Sequence, residues 1–156
     1  MVEQLTAEGL SLIEAGSFVS PKWVPQMAGS DEVFRRFTVS PVTTYTAFTP
    51  NIQGLQRAIA CDVREIAVFA VASDSFSRKN INRSIAKSLQ RFASVVAQTQ
   101  AIGIAVRGYI SRVLGAPRRT RLPLVECFDE LLAMGCRHCR VDRSIINAFI
   151  ARKSRR

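Results

Sequence analysis

GLSLIEAGSFVSPKWVPQM, residues 9–27, contains the pattern from which the fold of this chain can be worked out. The apolar run in residues 10–13 is too short for a helix and is typical of a buried strand. Glu14 follows it, so the strand carries a carboxylate to its C-terminal end, where parallel α/β sheets bind ligands. A glutamate at such a position can also be merely solvated, and this stretch leaves both interpretations open.

Strand and helix patterns alternate through the rest of the chain. Residues 43–48 are rich in β-formers, residues 66–72 are almost wholly apolar, and residues 104–111 again favour a strand. A nearly continuous apolar run is typical of a parallel strand that is covered on both faces. These patterns predict an α/β fold with parallel strands.

Apolar residues at helical spacing lie between the predicted strands. They predict helices over residues 51–60, 84–100 and 123–134, with Pro123 opening the third, and Gly103 and Gly135 ending the second and third. The predicted apolar stripes are Ile52, Leu55 and Ile59; Ile85, Leu89, Phe92 and Val96; and Leu124, Phe128, Leu131 and Leu132.

The spacing of the strands predicts the architecture. The strands start near residues 10, 43, 65, 104 and 137, an average repeat of about 32 residues, close to one βα unit of a (β/α)8 barrel. Such a barrel needs about 250 residues, and the 156 residues of this chain hold about five units. We therefore expect one partial-barrel domain over residues 1–143, followed by a basic tail over residues 144–156.

Charge is distributed unevenly along the chain, whose formal net charge is +10. Residues 1–111 hold 11 Lys or Arg against 8 Asp or Glu, whereas residues 112–156 hold 11 against 4. No run of about 18 apolar residues occurs, so no transmembrane helix and no membrane partner are predicted. The N-terminus shows no secretory or transit-peptide pattern, and the four cysteines suit a reducing compartment as free thiols. We expect a cytoplasmic protein, with the mitochondrial matrix as the alternative in a eukaryote.

Four segments of the chain together carry a family likeness. They are IEAGSFVSPKWVPQM (residues 13–27), FTPNIQGLQRAIA (48–60), FAVASDSFSRKNINRSIAKSLQRF (69–92) and VRGYIS (106–111). In this order and spacing they resemble the hydroxymethylglutaryl-CoA lyases, which are metal-dependent TIM-barrel enzymes. The likeness weakens after Ala116 and largely ends after Gly135. It implies a partial TIM (β/α)8 barrel that is truncated at both ends relative to the family.

The resemblance also implies a reaction and a cofactor. The family splits 3-hydroxy-3-methylglutaryl-CoA into acetyl-CoA and acetoacetate, in leucine catabolism and ketone-body formation, with a divalent cation such as Mg²⁺ or Mn²⁺. An aspartate of the first strand, two histidines of an H-x-H strand and a later asparagine hold that cation. This sequence has none of those segments, and its one histidine, His138, cannot form an H-x-H site. We therefore expect a lyase-like protein that takes a coenzyme A thioester but is inactive alone.

Arg107 and Tyr109 are the main candidates for catalysis. They lie two residues apart on a predicted strand, so their side chains point to the same face. A buried arginine needs a paired carboxylate, and Glu14 is the candidate partner; alternatively, Arg107 lies at a strand edge and reaches solvent. The resemblance implies that Glu14, Arg107 and Tyr109 are active-site residues near the acyl part of the substrate.

The resemblance also assigns residues to the coenzyme A path. Asn80, Ser84, Ile110 and Ser111 match positions that line it in the family, through short polar side chains and backbone groups. Ser17, on the loop after Glu14, is a candidate to hydrogen-bond substrate. Asn80 and Ser84 are equally suitable as helix caps.

The segment CRHCR, residues 136–140, is a weak metal-binding pattern. Structural zinc takes four ligands, usually from two such pairs, and this chain has one pair. On a strand, Cys136 and His138 would face one way and Cys139 the other. We therefore expect no metal site there.

The basic C-terminus supports a different class of function. Arginines in residues 117–121 and 151–156 can attract phosphate or nucleic acid, but no aromatic residues are interleaved with them. A solvated tail is the default interpretation, and a non-catalytic interaction or nucleic-acid-binding remnant is the alternative function. An incomplete parallel sheet also exposes its edges, so self-association is expected. A second polypeptide that supplies the missing strands, or a shifted reading frame after the barrel segment, remains open.

Overall fold

Five parallel strands form a single sheet in the computed structural model, which describes residues 1–71, 85–111 and 121–142. Each strand lies beside the next one along the chain, in the order β1-β2-β3-β4-β5. This order is that of a barrel wound in one direction, and it confirms the predicted α/β fold with about five βα units. The strands are β1 (Leu12–Ser17), β2 (Thr44–Phe48), β3 (Glu65–Val71), β4 (Ala105–Ser111) and β5 (His138–Asp142).

Helices lie between the strands in chain order. They are α1 (Val2–Ala7), a 3₁₀ turn (Pro25–Met27), α2 (Ser30–Arg36), α3 (Ile52–Ala60), α4 (Ile85–Ala101) and α5 (Arg121–Met134). The predicted strand starts lie within two residues of those observed. The third predicted helix begins at Arg121, so Pro123 is its third residue and not its first. Helix α2 was not predicted from the sequence.

Glycines end the helices where the sequence predicts. Gly103 and Gly135 have φ of +74° and +102°, a backbone conformation that glycine adopts without strain. Gly135 lies directly after a helix and Gly103 two residues after one, and both lie shortly before a strand. Both predicted helix ends are therefore confirmed.

The core lies between the helices and one face of the sheet. On β4, Val106, Gly108 and Ile110 are buried, whereas Arg107 and Tyr109 keep partial solvent contact, as expected from strand alternation. We call the face that carries Arg107 and Tyr109 the inner face. The other face is covered by helices. The fully buried residues between this face and the helices include Ile66, Val68, Val95, Val96, Ile110 and Leu131.

Helix α3 contacts the sheet through a different side than its sequence suggests. Leu55 and Ala58 are fully buried, whereas Ile52 of the predicted stripe is half-buried and Ile59 is 44% exposed. A Cβ on Gly54 would lie 2.7 Å from the carbonyl oxygen of Phe18, so the small residues of this helix approach the backbone closely. The prediction that Ile59 faces the core was wrong because close approach selects the Gly54–Ala58 side.

The last helix shows the same kind of shift. Cys127 and Leu131, four residues apart, are fully buried, and the predicted Leu132 is 44% exposed. In the part of the chain that the structure describes, no helix is both long enough and apolar enough to cross a membrane.

Candidate functional site

The strand register brings the candidate residues onto the inner face. Glu14 and Glu65 are both paired with Thr46 of the strand between them, and Glu65 is paired with Ala105 of β4. Directly paired residues of parallel strands point to the same face, as do residues two apart on one strand. Glu14, Thr46, Glu65, Arg107 and Tyr109 therefore share the inner face.

Glu65 is the carboxylate that pairs with Arg107. The Nε of Arg107 donates a hydrogen bond of 2.7 Å to Oε1 of Glu65. The two side chains are only 13% and 12% exposed. The sequence suggested Glu14 for this contact, but the structure assigns it to Glu65. The reason is that β3 lies directly beside β4, whereas β1 lies three positions from β4 in the sheet.

Glu65 was missed in the sequence analysis although a signal for it was present. It stands directly before the apolar run of residues 66–72, at the start of a strand that is covered on both faces. A carboxylate there is buried with the strand, and Glu65 is 9% exposed. Buried carboxylates require a partner, so its position alone suggested an ion pair.

Tyr109 lies in the electrostatic field of the same groups. Its pKa is raised above the ordinary value, first by burial and then by the negative charge of Glu14, with a smaller contribution from Glu65. Arg107 and Arg140 oppose this rise in pKa. The phenol is therefore protonated near neutral pH and can donate a hydrogen bond. Of the three predicted catalytic residues, Glu14 and Arg107 are therefore both close enough to Tyr109 to affect its pKa.

Glu14 lies in the middle of its strand, whereas the sequence suggested a position at the C-terminal end of the strand. Strand β1 continues to Ser17, and its register with β2 shifts between Glu14 and Gly16. The side chain of Glu14 is exposed. The irregularity in β1 lets the strand continue past the carboxylate while keeping Glu14 on the inner face.

Thr46 contributes a buried hydroxyl between the two glutamates. Its Oγ1 is inaccessible and has no hydrogen-bond partner among the residues that the structure describes. Buried hydroxyls in proteins are normally satisfied by a protein group or by ordered water. Thr46 is therefore an exception to this rule among the described residues.

A groove of about 650 Å³ opens beside Arg107. Its lining includes Arg137, His138 and Arg140 at the β5 edge, and it contains no aspartate or glutamate among the described residues. His138 is paired in register with Arg107, and Arg140 with Tyr109, so both side chains extend the inner face. The groove therefore favours an anionic ligand.

The residues proposed for the coenzyme A path are only partly observed. Ile110 is fully buried on the helix-covered face, so its side chain cannot line the inner face, and only its backbone could contact a ligand. Ser17 is buried, and its backbone N–H donates to Oγ of Ser30 at 3.0 Å. Asn80, Ser84 and the Ser111 side chain lie outside the described residues, as do the basic tail and most of the earlier arginine cluster.

The loop after β1 is held by a separate ion pair. Arg57 of α3 donates from Nε to Oδ1 of Asp31 at 3.2 Å and from Nη1 to the carbonyl oxygen of Val19 at 3.2 Å, and Nη2 pairs with Oδ2 of Asp31. Its guanidinium also stacks 5.3 Å above the ring of Phe18. The hydrogen bond from Arg57 lowers the pKa of Asp31. Together these contacts fix the loop between β1 and α2 against α3.

The CRHCR segment does not fit a metal site. Strand β5 begins at His138, so Cys136 precedes it and is buried in the core, with Cys139 packed nearby and His138 exposed. The expectation that Cys136 shares a face with His138 was wrong for this reason. Burial raises the pKa of the Cys136 thiol to about 12 and also raises that of Cys139, which disfavours the thiolates that bind metals.

The divalent cation implied by the resemblance has no matching donor set here. Within residues 1–71, 85–111 and 121–142, no three His, Cys, Asp or Glu side chains gather closely enough to hold a metal ion. The inner face offers Glu14 and Glu65, and Glu65 is already bonded to Arg107. The described residues therefore do not fit such a cation.

Comparison with known proteins gives consistent results. A lyase from Pseudomonas aeruginosa, named 3-hydroxy-3-isohexenylglutaryl-CoA/hydroxy-methylglutaryl-CoA lyase, is 54% identical over 117 residues, covering 75% of this chain and 39% of the relative. The mitochondrial hydroxymethylglutaryl-CoA lyase of Bos taurus is 45% identical over 139 residues, covering 87% of this chain and 43% of the relative. The chain therefore spans less than half the length of these relatives. A mouse relative is named cytoplasmic, so the compartment of this chain stays a prediction.

Solved structures extend the likeness to the fold. A hydroxymethylglutaryl-CoA lyase from Pseudomonas aeruginosa superposes with a TM-score of 0.83 at 48% identity, covering 90% of this chain and 48% of that one. A lyase from Acinetobacter baumannii, solved with coenzyme A and 3-methylmalate, has a TM-score of 0.81 at 28% identity, covering 90% and 47%. The family profile described as HMGL-like matches residues 1–144. This chain belongs to the HMGL-like family.

Proposed function

We propose that this chain binds the acyl part of a 3-hydroxy-3-methylglutaryl-CoA-like thioester on its inner face, through Arg107, Tyr109 and Glu14. Family membership supports the substrate class, and a related structure contains coenzyme A with a methyl-substituted hydroxy acid. The observation that carries the proposal is the mostly buried Arg107, which is held by Glu65 and lines a groove together with Arg137 and Arg140. A thioester of a dicarboxylic acid brings a carboxylate and carbonyl oxygens, which match these donors.

The reaction that the family resemblance implies for this substrate class is carbon–carbon cleavage of the thioester. The C3 hydroxyl loses its proton, the C2–C3 bond breaks, and its electron pair forms the thioester enolate. Protonation of that enolate at C2 gives acetyl-CoA, and the other fragment is acetoacetate. In this scheme Arg107 binds an anionic oxygen, the protonated Tyr109 donates a hydrogen bond, and Glu14 is the carboxylate within reach that can accept a proton.

We propose no turnover by the 156-residue chain alone. In the family that the sequence resembles, a divalent cation polarises the substrate oxygens. The described donor set does not fit that cation, so no step through it is assigned to these residues. We therefore propose binding without turnover for this chain.

The binding proposal is tested by calorimetric titration of the chain with 3-hydroxy-3-methylglutaryl-CoA and, separately, with coenzyme A. The acyl group should add affinity, and Arg107→Ala should weaken only the acyl-dependent part, by about tenfold, or about 1.4 kcal/mol. Arg36→Ala is the matched control, since Arg36 is an exposed arginine paired with Glu32 on α2. Equal affinity for the two ligands, or an unchanged Arg107→Ala variant, would contradict the proposal.

Turnover has its own measurement. The purified chain is incubated with 3-hydroxy-3-methylglutaryl-CoA and Mg²⁺ or Mn²⁺, and acetoacetate is assayed. We expect none above the rate of a sample without protein. Cation-dependent acetoacetate production would show that the chain holds a working metal site and would overturn the proposal of binding without turnover.

A further inference from the structure

We propose that Glu65 is a positioning residue that fixes the direction in which the Arg107 guanidinium faces an anionic oxygen of the ligand. The inference rests on the proposed function for the identity of that ligand. Its structural basis is the 2.7 Å bond between Nε of Arg107 and Oε1 of Glu65. Glu65 is the first residue of β3 and lies two residues before Ala67, which is paired with Arg107 on the neighbouring strand.

The geometry leaves part of the guanidinium for a ligand. Arginine has five N–H donors in a rigid plane, and the Nε donor is used by Glu65. The contact with Glu65 runs through Nε, so the two terminal amino groups of Arg107 lie outside that bond. Because the plane is rigid, holding Nε also fixes where those amino groups point.

Burial makes the contact directional. The two side chains are almost nine-tenths buried, so neither can turn freely into water. The groove beside Arg107 is lined by further cations and by no described carboxylate, and it supplies the side from which an anion can reach the amino groups. Glu65 thus contacts Arg107 from the neighbouring strand, and the ligand would contact Arg107 from the groove.

Charge balance gives Glu65 a second effect. Glu65 balances the charge of Arg107, which would otherwise be an uncompensated charge in a mostly buried position. Replacing Glu65 with Gln keeps the size of the side chain and removes its charge. We therefore expect Glu65→Gln to lose orientation at Arg107 while the fold is retained.

Nitrogen-15 NMR of the arginine Nε–H groups tests the clamp without any ligand. The Arg107 signal is assigned by its disappearance in Arg107→Lys, and its hydrogen exchange is measured in the intact chain. Exchange should be at least about tenfold faster in Glu65→Gln, because the Nε–H bond to a carboxylate is lost. Glu32→Gln is the matched control, since it removes one exposed carboxylate on α2 and should leave the Arg107 signal unchanged.

Ligand titration separates positioning from a purely structural ion pair. Glu65→Gln should weaken 3-hydroxy-3-methylglutaryl-CoA about tenfold and leave coenzyme A unchanged, and Glu65→Asp, which keeps the charge, should recover part of the loss. If the Gln variant does not fold, the Asp variant carries the test, with exchange faster than in the parent chain because the shorter side chain holds the bond less well.

The outcomes distinguish this inference from the proposed function. If the parent chain binds both ligands equally, the proposed function fails, and the Nε–H exchange still decides whether Glu65 holds Arg107. Unchanged exchange in a folded Glu65→Gln variant would overturn the inference. Loss of the slow exchange with full retention of acyl-dependent affinity would overturn it as well, because Arg107 would then bind its ligand without being positioned.

Discussion

At the scale of the residue, the pKa of Tyr109 depends on burial and on the charged groups of the inner face. Its pKa is raised by burial and by Glu14, and Arg107 lowers it in opposition. Raising the pKa of a phenol keeps it protonated over a wider pH range, so Tyr109 remains a hydrogen-bond donor throughout the neutral range. The chain has two tyrosines, and the other, Tyr45, is buried on the helix-covered side.

Removing the charge of Glu14 should lower the pKa of Tyr109. Glu14→Gln takes away the largest charge effect that raises it, so the phenol should ionise at lower pH than in the parent chain. Carbon-13 NMR of labelled tyrosine measures this ionisation, with the Tyr109 signal identified by Tyr109→Phe. Glu32→Gln should leave it in place. An unchanged pKa in Glu14→Gln would show that the two side chains do not share the inner face as the register implies.

At the scale of the element, one partly buried ion pair holds the loop between β1 and α2 in place. Arg57 of α3 bonds to Asp31 at the start of α2 and to the carbonyl oxygen of Val19 in the loop. It thereby joins the loop, α2 and α3, although β2 lies between the two helices along the chain. Trp23, 87% exposed, lies in the loop that this pair holds.

Asp31→Asn should destabilise the chain by about 1 kcal/mol at neutral pH, since the pair is only partly shielded from water. Arg57 holds the folded-state pKa of Asp31 below its ordinary 3.8, so the carboxylate contributes stability above that value. This contribution is lost as the pH falls through 3.8 and the lower folded-state pKa. Urea denaturation followed by circular dichroism at neutral and acid pH measures the difference.

The control for this prediction is the neighbouring carboxylate. Glu32→Gln removes an exposed surface pair on the same helix and should change stability by no more than about 0.5 kcal/mol at either pH. A stability difference between Asp31→Asn and the parent chain that persists unchanged in acid would contradict the assigned role of the Asp31 charge.

At the scale of the whole molecule, β1 and β5 are the edges of the described sheet. An edge strand has backbone N–H and C=O groups that can pair with another chain. The net charge of +10 opposes such pairing by repulsion, and salt screens that repulsion. The two effects make association dependent on ionic strength.

Sedimentation velocity should therefore detect oligomers whose fraction rises with protein concentration and with salt. We expect the 17.3 kDa monomer to dominate at low salt and larger species to appear near about 0.15 M salt. A monomer at every concentration in both conditions would indicate that the sheet edges are protected. Salt that dissolves the oligomers would point to charge pairing, and not to strand edges, as the contact.

The sequence by itself determined the order and type of the main elements. The apolar run of residues 66–72 and the helical spacing between strands predict parallel α/β units, because buried strands and amphipathic helices each leave a periodic apolar pattern. The same patterns located the strand starts within two residues. They also placed Arg107 and Tyr109 on one face, since strand alternation is a local property.

Only the tertiary structure decided which groups meet. Glu14 and Glu65 are both carboxylates on strands, and the choice of Glu65 for Arg107 depends on which strand lies beside β4 and in which register. Likewise, Ile59 faces solvent because Gly54 allows α3 to approach the backbone of Phe18, a contact between parts of the chain far apart in sequence. Local patterns reflect burial along one element, whereas contacts between elements are set by their packing.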